Sequence, residues 1–241
     1  MLIEIGHVEA LFRYPVKSMR GEPLDTASLG WHGLEGDRRL ALRRMDDRGG
    51  FPWLTAGKLP ELILFTPVVG APDELPQMIR TPHGVEMSAF GEDLAAEVER
   101  RYAAPVEMMH MKHGIFDDAT ISVIALDTVQ EISRLAGLNP DVRRFRPNIV
   151  VRSLRPVPFQ EGDWLGGVLS FGTGDDAPTI AVTAHDIRCS MLNLDPDTAK
   201  PAPQMLKAVV GANQNHAGIY GTVTRLGRLA VGQAVIFHTA T

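Results

Sequence analysis

The sequence predicts a β-rich α+β protein with barrel-like closure, a smaller β-rich region at the start and a few short helices. Three observations point there. Short alternating or β-branched runs recur along the whole chain, punctuated by glycine and proline. Only three segments carry apolar residues at helical spacing. The 241 residues are 44% hydrophobic and 22% charged, the balance of a globular chain that folds on its own core.

His7 to Tyr14 alternates and stops at Pro15, and Arg39 to Arg44 alternates with Leu40 and Leu42 on one side. Leu62 to Val69 is apolar and β-branched, with Pro67 marking an edge or an end. Met78 to Ser88 reads as a hairpin turning at His83-Gly84. Gly30, Gly33, Gly36, Gly49 and Gly50 mark turns, and Ala71 to Pro76 is the most loop-like early stretch. Gly91 to Ala103 predicts a helix. Leu94, Val98 and Tyr102 share a face, with Glu92 and Asp93 at its start and Arg100 and Arg101 at its end, as the helix dipole favours. Val106 to Met111 predicts a strand.

In the second half, Ile121 to Ala125 predicts a strand and Leu126 to Ala136 a helix, with Val129, Ile132 and Leu135 on one face and Gly137 as the stop. Asn148 to Val151, Trp164 to Phe171 and Thr179 to Thr183 predict strands, and Thr198 to Val210 a third helix. Tyr220 to Val223 and Ala234 to His238 are the last strands, joined through a glycine-containing turn. Lys112 to Ala119 is the expected join, which gives domains 1–112 and 113–241.

A net charge of −5 argues against non-specific nucleic-acid binding. No apolar run reaches the roughly 18 residues of a membrane span. Met1 to His7 carries Glu4 and no basic region, so no signal peptide and a cytoplasmic location are expected. The single cysteine, Cys189, excludes an intrachain disulfide and any multi-cysteine zinc or iron–sulfur site.

Four segments are polar where a strand end does not need to be. In Tyr14-Pro15-Val16-Lys17-Ser18-Met19-Arg20, two cations and a hydroxyl on a turn suit an anion, though a solvated turn has the same composition. In Gly33-Leu34-Glu35-Gly36-Asp37-Arg38, the adjacent acid and base form an internal pair or orient Arg38 toward a ligand. Arg143, Arg144 and Arg146 lead through Pro147 and Asn148 into a β-branched strand, a basic cluster for an anion or for solvent. In Asp186-Ile187-Arg188-Cys189-Ser190, a guanidinium beside a thiol favours the thiolate, a soft metal ligand. Asp195 and Asp197, around Pro196, suit a turn that caps the next helix. Asp117-Asp118 and Asp175-Asp176 read as solvated turns, and Trp31, Trp53, Trp164, His7, His32 and His216 as core or rim. Nucleotide-binding glycine loops, a Gly-x-Ser-x-Gly elbow and HExxH are all missing.

YPVKS, GLEGDR, RFRPNIVV and RCSMLNLDPDT occur here in the order and spacing of a known family. The chain resembles the MOSC proteins (molybdenum cofactor sulfurase C-terminal domain), preceded by their N-terminal β-barrel domain. Gly218-x-Tyr220 and Gly227 to Val235 resemble the family's closing hairpin. The resemblance spans essentially the whole chain and implies a MOSC-type β-barrel that binds the molybdenum cofactor (Mo-molybdopterin). By resemblance to the amidoxime-reducing branch, Cys189 is the catalytic thiolate on molybdenum. Lys17, Ser18, Arg38 and Arg146 hold the cofactor's anionic part, with Asn148 and Arg188 beside them. The implied reaction is reduction of N-hydroxylated compounds by electrons from a separate reductase, without a nucleic-acid or membrane partner. The alternative is a cofactor carrier or sulfur-transfer module with a persulfide on Cys189. Neither pyridoxal phosphate nor an iron–sulfur cluster is expected. The chain departs from the family pattern at Thr120, Ile187, Ala199 and Gln233, none of them an implied metal ligand.

Overall fold

A computed structural model describes residues 2–70 and 74–239; of the loop expected at 71–76, residues 71–73 lie outside the described residues. The first half contains β1 (Leu2–Arg13), β2 (Glu22–Leu24), β3 (Thr26–Gly30), β4 (Gly33–Leu34), β5 (Leu40–Arg44), β6 (Thr66–Val68), β7 (Met78–Arg80) and β8 (Glu86–Ser88). It continues with α1 (Glu92–Tyr102) and β9 (Val106–His110). The second half contains β10 (Ile121–Ala125), α2 (Leu126–Ala136), β11 (Ile149–Ser153), β12 (Val168–Phe171) and β13 (Thr179–Ile187). After these come α3 (Gln204–Asn213), β14 (His216–Arg225), β15 (Gly227–Ala230) and β16 (Ala234–His238).

A closed seven-strand barrel dominates. Its order is β11-β10-β14-β13-β12-β16-β1, and β1 pairs back to β11 while β2 extends from β1. Closure leaves no long edge in the ring. The long first strand therefore pairs with both β11 and β16, so residues near the start complete a sheet otherwise built from the second half. Val8, Leu11, Val123, Ile149, Leu169, Ile180 and Ile219 fill the interior.

β10 and β11 are the one parallel pair of the ring, linked through α2. All five residues of β10 are buried. Ile121 and Val123 face the barrel interior, while Ile124 packs with Val150, α2 residues Val129 and Ile132, and α3 residues Met205 and Val209. Covering both faces of a parallel pair explains the uninterrupted apolar run in the sequence. A second core lies under β5, β9 and α1, built from Leu40, Leu42, Leu94, Val98, Val106 and Met108, with Leu194 and Ala199 reaching in from the second half.

Several expectations are corrected. Leu62–Phe65 is not strand: Pro60–Leu64 forms a 3-10 turn that buries Leu62 and Ile63, and only Thr66–Val68 pairs. Proline at the start of a turn loses no needed donor, so Pro60 starts it readily. Trp164 likewise ends a 3-10 turn, Gln160–Trp164, ahead of β12; the apparent alternation comes from Trp164 packing into the barrel core. The third helix begins at Gln204 rather than Thr198, because Pro201 and Pro203 lack the amide donors of a helix interior. Asp195 and Asp197 do not cap it. Asp195 closes its own turn on the amides of Asp197 and Thr198, and the helix is capped by Asn193, whose Oδ1 accepts from Leu206 N–H at 3.0 Å. The last strands form no hairpin: β15 pairs with β3, and β16 with β12 and β1.

Candidate functional site

Between the barrel rim and the second core lies a cavity of about 390 Å³. Its walls bring together Lys17, Ser18, Arg38, Arg146, Asn148, Arg188 and Cys189, from four separated stretches of sequence. That volume falls in the range of small-molecule and cofactor sites.

The end of β1 supplies Lys17 and Ser18. Lys17 N–H donates to Leu40 O at 2.8 Å and Met19 N–H to Val16 O, closing a tight turn at Ser18, which takes a φ of 66°. Arg38 (φ 50°) and Arg146 (φ 51°) are also left-handed. Only glycine adopts that region freely, so three non-glycine residues there, all on one cavity, mark backbone held against its preference.

Each turn is fixed by buried polar contacts. Tyr14 N–H donates to Asp37 Oδ1 at 2.7 Å, and Arg38 N–H to Tyr14 O at 2.7 Å. Asp37 is fully buried and pairs with the Arg38 guanidinium, which also donates to Arg146 O at 3.2 Å. The internal Asp37–Arg38 pair therefore forms, and the Arg38 guanidinium lies on the cavity wall. Asn148 is buried, and its amide is committed to framework. Oδ1 accepts from Ser122 N–H at 3.1 Å, and Nδ2 donates to Phe12 O at 3.3 Å.

The arginine cluster divides. Arg143 turns outward to Asp141 and Asp197, and Arg144 pairs with Asp195 at 2.8 Å. Arg146 turns in and stacks over the Tyr14 ring, 4.3 Å from its centroid, with Nη1 donating to Met19 O at 2.8 Å.

Five cations thus border one space: Lys17, Arg38, Arg144, Arg146 and Arg188. Lys17 pairs with Asp117 at 2.7 Å, Arg38 with Asp37, and Arg188 Nη2 lies 2.9 Å from Asp186. Arg146 alone has no carboxylate partner among the described residues, and its buried Nη2 has no hydrogen-bond partner. Burial, reinforced by Arg38, pushes the Arg146 guanidinium down to about 10. Burial also lowers the Lys17 ammonium, against the pull of Asp117. For Arg38 burial works in the same sense, but Asp37, together with Tyr14 and Asp117, outweighs it and holds the guanidinium above its ordinary value. An anion entering the cavity relieves the uncompensated charge at Arg146.

Cys189 follows β13, starts a short 3-10 turn (Ser190–Asn193) and is exposed. The Arg188 guanidinium does not hydrogen-bond the thiol. It donates to Ala217 O and Phe145 O, each at 2.7 Å, and lies over the Phe145 ring. Among the described residues no group of three or more His, Cys, Asp or Glu is arranged to hold a metal ion, so Cys189 stands as a single soft donor.

The cavity also contains residues to which the sequence assigned no place in the site: Phe51, Thr55, Gly57, Phe116, Ser122 and Tyr220. Only Tyr220 belongs to a motif singled out in the sequence, Gly218-x-Tyr220, and the others come from loops and a strand start brought together only by folding. Asp117 stands in an exposed bend, as expected, and its carboxylate also pairs with buried Lys17 on the cavity wall. Trp31, Trp53, Trp164, His7, His32 and His216 do not line this cavity.

Comparison with known proteins follows the same geography. The family model described as the MOSC domain matches residues 110–236, and that of the MOSC N-terminal beta barrel domain matches residues 5–119. The YUAD protein from Bacillus subtilis, in its crystal structure, shares the fold with a TM-score of 0.55 at 14% identity, covering 100% of this chain and 99% of that one. YiiM from Geobacillus stearothermophilus is 18% identical over 50% of this chain and 55% of its own, with a TM-score of 0.39. No curated protein matches the chain.

Proposed function

The chain belongs to the MOSC family, and from that premise we propose that it binds the molybdenum cofactor and reduces N-hydroxylated compounds, with electrons from a separate reductase. One observation carries this reading: a single cavity joins an exposed thiol, Cys189, to five cationic side chains, one of which lacks a carboxylate partner among the described residues. A cofactor that combines a metal with a phosphate needs that pairing of a soft donor with an anion site.

The residues present fit the group. Arg146, with its unpartnered Nη2, and Lys17 would hold the anionic end, and Ser18 would add a hydroxyl. Asp37 and Asn148 hold the Arg38 fork in place, so that it meets a ligand without further ordering. Cys189 would ligate molybdenum. When bound, the cofactor supplies a metal centre that exchanges electrons with substrate. The chain's own part is to orient the reactants, exclude water and deliver protons. Arg188, tied to two backbone carbonyls, fixes the position of the segment that carries Cys189.

The exposure of Cys189 favours a second reading, in which the thiol carries a persulfide and passes the sulfur on. Turnover separates the two. Protein from a host that makes the cofactor should reduce a hydroxylamine or amidoxime when supplied with a chemical reductant, and Cys189→Ala should abolish that reduction. No reduction by molybdenum-loaded wild type overturns the reductase reading.

A further inference from the structure

Asp186 is a buried carboxylate on the cavity wall to which the cofactor reading gives no role. It lies on β13, three positions before Cys189, and is 2% exposed. Ser122 Oγ on β10 donates to Asp186 Oδ2 at 2.9 Å, and Tyr220 on β14 stands opposite Ser122 in the sheet, with its hydroxyl near enough to act on the same carboxyl. All three residues line the cavity together with Cys189. Arg188 Nη2 sits 2.9 Å from Oδ2 but is not aligned for a hydrogen bond. Arg38 is the other charge that acts on the group.

A carboxylate placed only to neutralise Arg188 needs no hydroxyl chain leading into the cavity. We propose that Asp186, Tyr220 and Ser122 form a proton relay, in which Tyr220 faces the substrate and Asp186 recharges it. The proposal rests on the reductase reading. In that reaction R–NH–OH takes up two electrons and two protons, the N–O bond breaks, and R–NH₂ and water form. An external reductase, or a reduced viologen in its place, gives the electrons. One proton passes from the Asp186 carboxyl through the Tyr220 hydroxyl to the departing oxygen, and solvent gives the other.

The electrostatics agree with this role. Burial raises the Asp186 carboxyl above the ordinary aspartate range, against the pull of Arg188 and the two hydroxyls. Burial and the Asp186 charge also raise the Tyr220 hydroxyl, so it stays protonated. An anion in the cavity, by expelling water and adding negative charge, raises Asp186 further.

Two readouts test the relay. In infrared titration of the protein without substrate, a carboxyl band should titrate above the ordinary aspartate range and vanish in Asp186→Asn. With molybdenum-loaded protein and reduced viologen, wild-type rates should fall as pH rises through that same transition. Asp186→Asn should lose about 100-fold or more and the pH step with it, the scale of a lost general acid. Tyr220→Phe, which keeps the ring, should also slow the reaction and shift the infrared band. If wild type turns over and both variants match its rate and pH profile, the relay is overturned and the reductase reading stands. If loaded wild type reduces nothing, the reductase reading falls and takes the relay with it.

Discussion

At Arg146 the sequence leaves an anion site and a solvated basic face both open, and the structure turns the guanidinium inward with no carboxylate partner among the described residues. In sequence Arg146 is one of three arginines in four positions, with nothing to say which faces inward. Folding decides: a left-handed turn directs Arg146 onto the Tyr14 ring, while Arg143 and Arg144 find carboxylates. Arg146→Ala should weaken cofactor retention by about 10- to 100-fold, the loss of a charge-assisted hydrogen bond of about 1.5–3 kcal/mol. Pterin fluorescence retained after dialysis measures it, and Arg146→Lys should fall between. Gly218 is a second position where one atom matters. Its φ is 89°, and a Cβ there would lie 2.8 Å from Val123 O and 3.0 Å from Arg188 Nη2. Gly218→Ala should therefore cost at least about 1–2 kcal/mol in urea unfolding from the left-handed backbone alone. The role of Gly218 was not legible from sequence, because the neighbours it admits are remote in the chain.

Elements with strong local signals were legible, and those shaped by remote partners were not. α1 and α2 form where their apolar spacing predicts, though Leu135 of α2 is exposed rather than packed with Val129 and Ile132, and Gly137 stops α2 in the left-handed conformation expected of it. α1 ends the same way on Ala103, exposed and at a φ of 62°. Ala103→Gly should raise stability by about 0.5–1 kcal/mol, since glycine removes the left-handed penalty without losing buried area. A thermal melt checks the sign. Ile132 on α2 is fully buried between α3 and the barrel, so Ile132→Ala should lower stability by about 2–5 kcal/mol. The third helix was misplaced because apolar spacing outweighed Pro201 and Pro203 in the reading. The closing strands were misread because pairing across a barrel leaves no trace in adjacent sequence. The site was legible as four polar segments, since charge at strand ends stands out locally. The loops that complete it with Phe51, Thr55 and Phe116 were not.

Over the whole molecule, a latch joins the two halves behind the cavity. Asp197 accepts from Arg20 of the first half at 3.0 Å and from Arg143 of the second at 2.6 Å. Those two hydrogen bonds lower its carboxyl from 3.8 to about 2. A carboxyl held low in the folded state stabilises it above the unfolded value, and the contribution is lost as pH falls from about 4 to about 2. Asp197 is half exposed, so solvent and salt weaken the effect. Asp197→Asn should remove part of the acid sensitivity of unfolding in that window, and high salt should shrink the difference from wild type. The barrel, the second core and the latch together hold Cys189 and Arg146 on one cavity, and the central claim is that this cavity holds a molybdenum–pterin. The direct test is to quantify molybdenum and pterin in wild type and Cys189→Ala purified from a cofactor-producing host. We expect near-stoichiometric molybdenum and pterin in wild type, and pterin retained with molybdenum ligation lost in the variant. Wild type carrying neither molybdenum nor pterin would contradict the account.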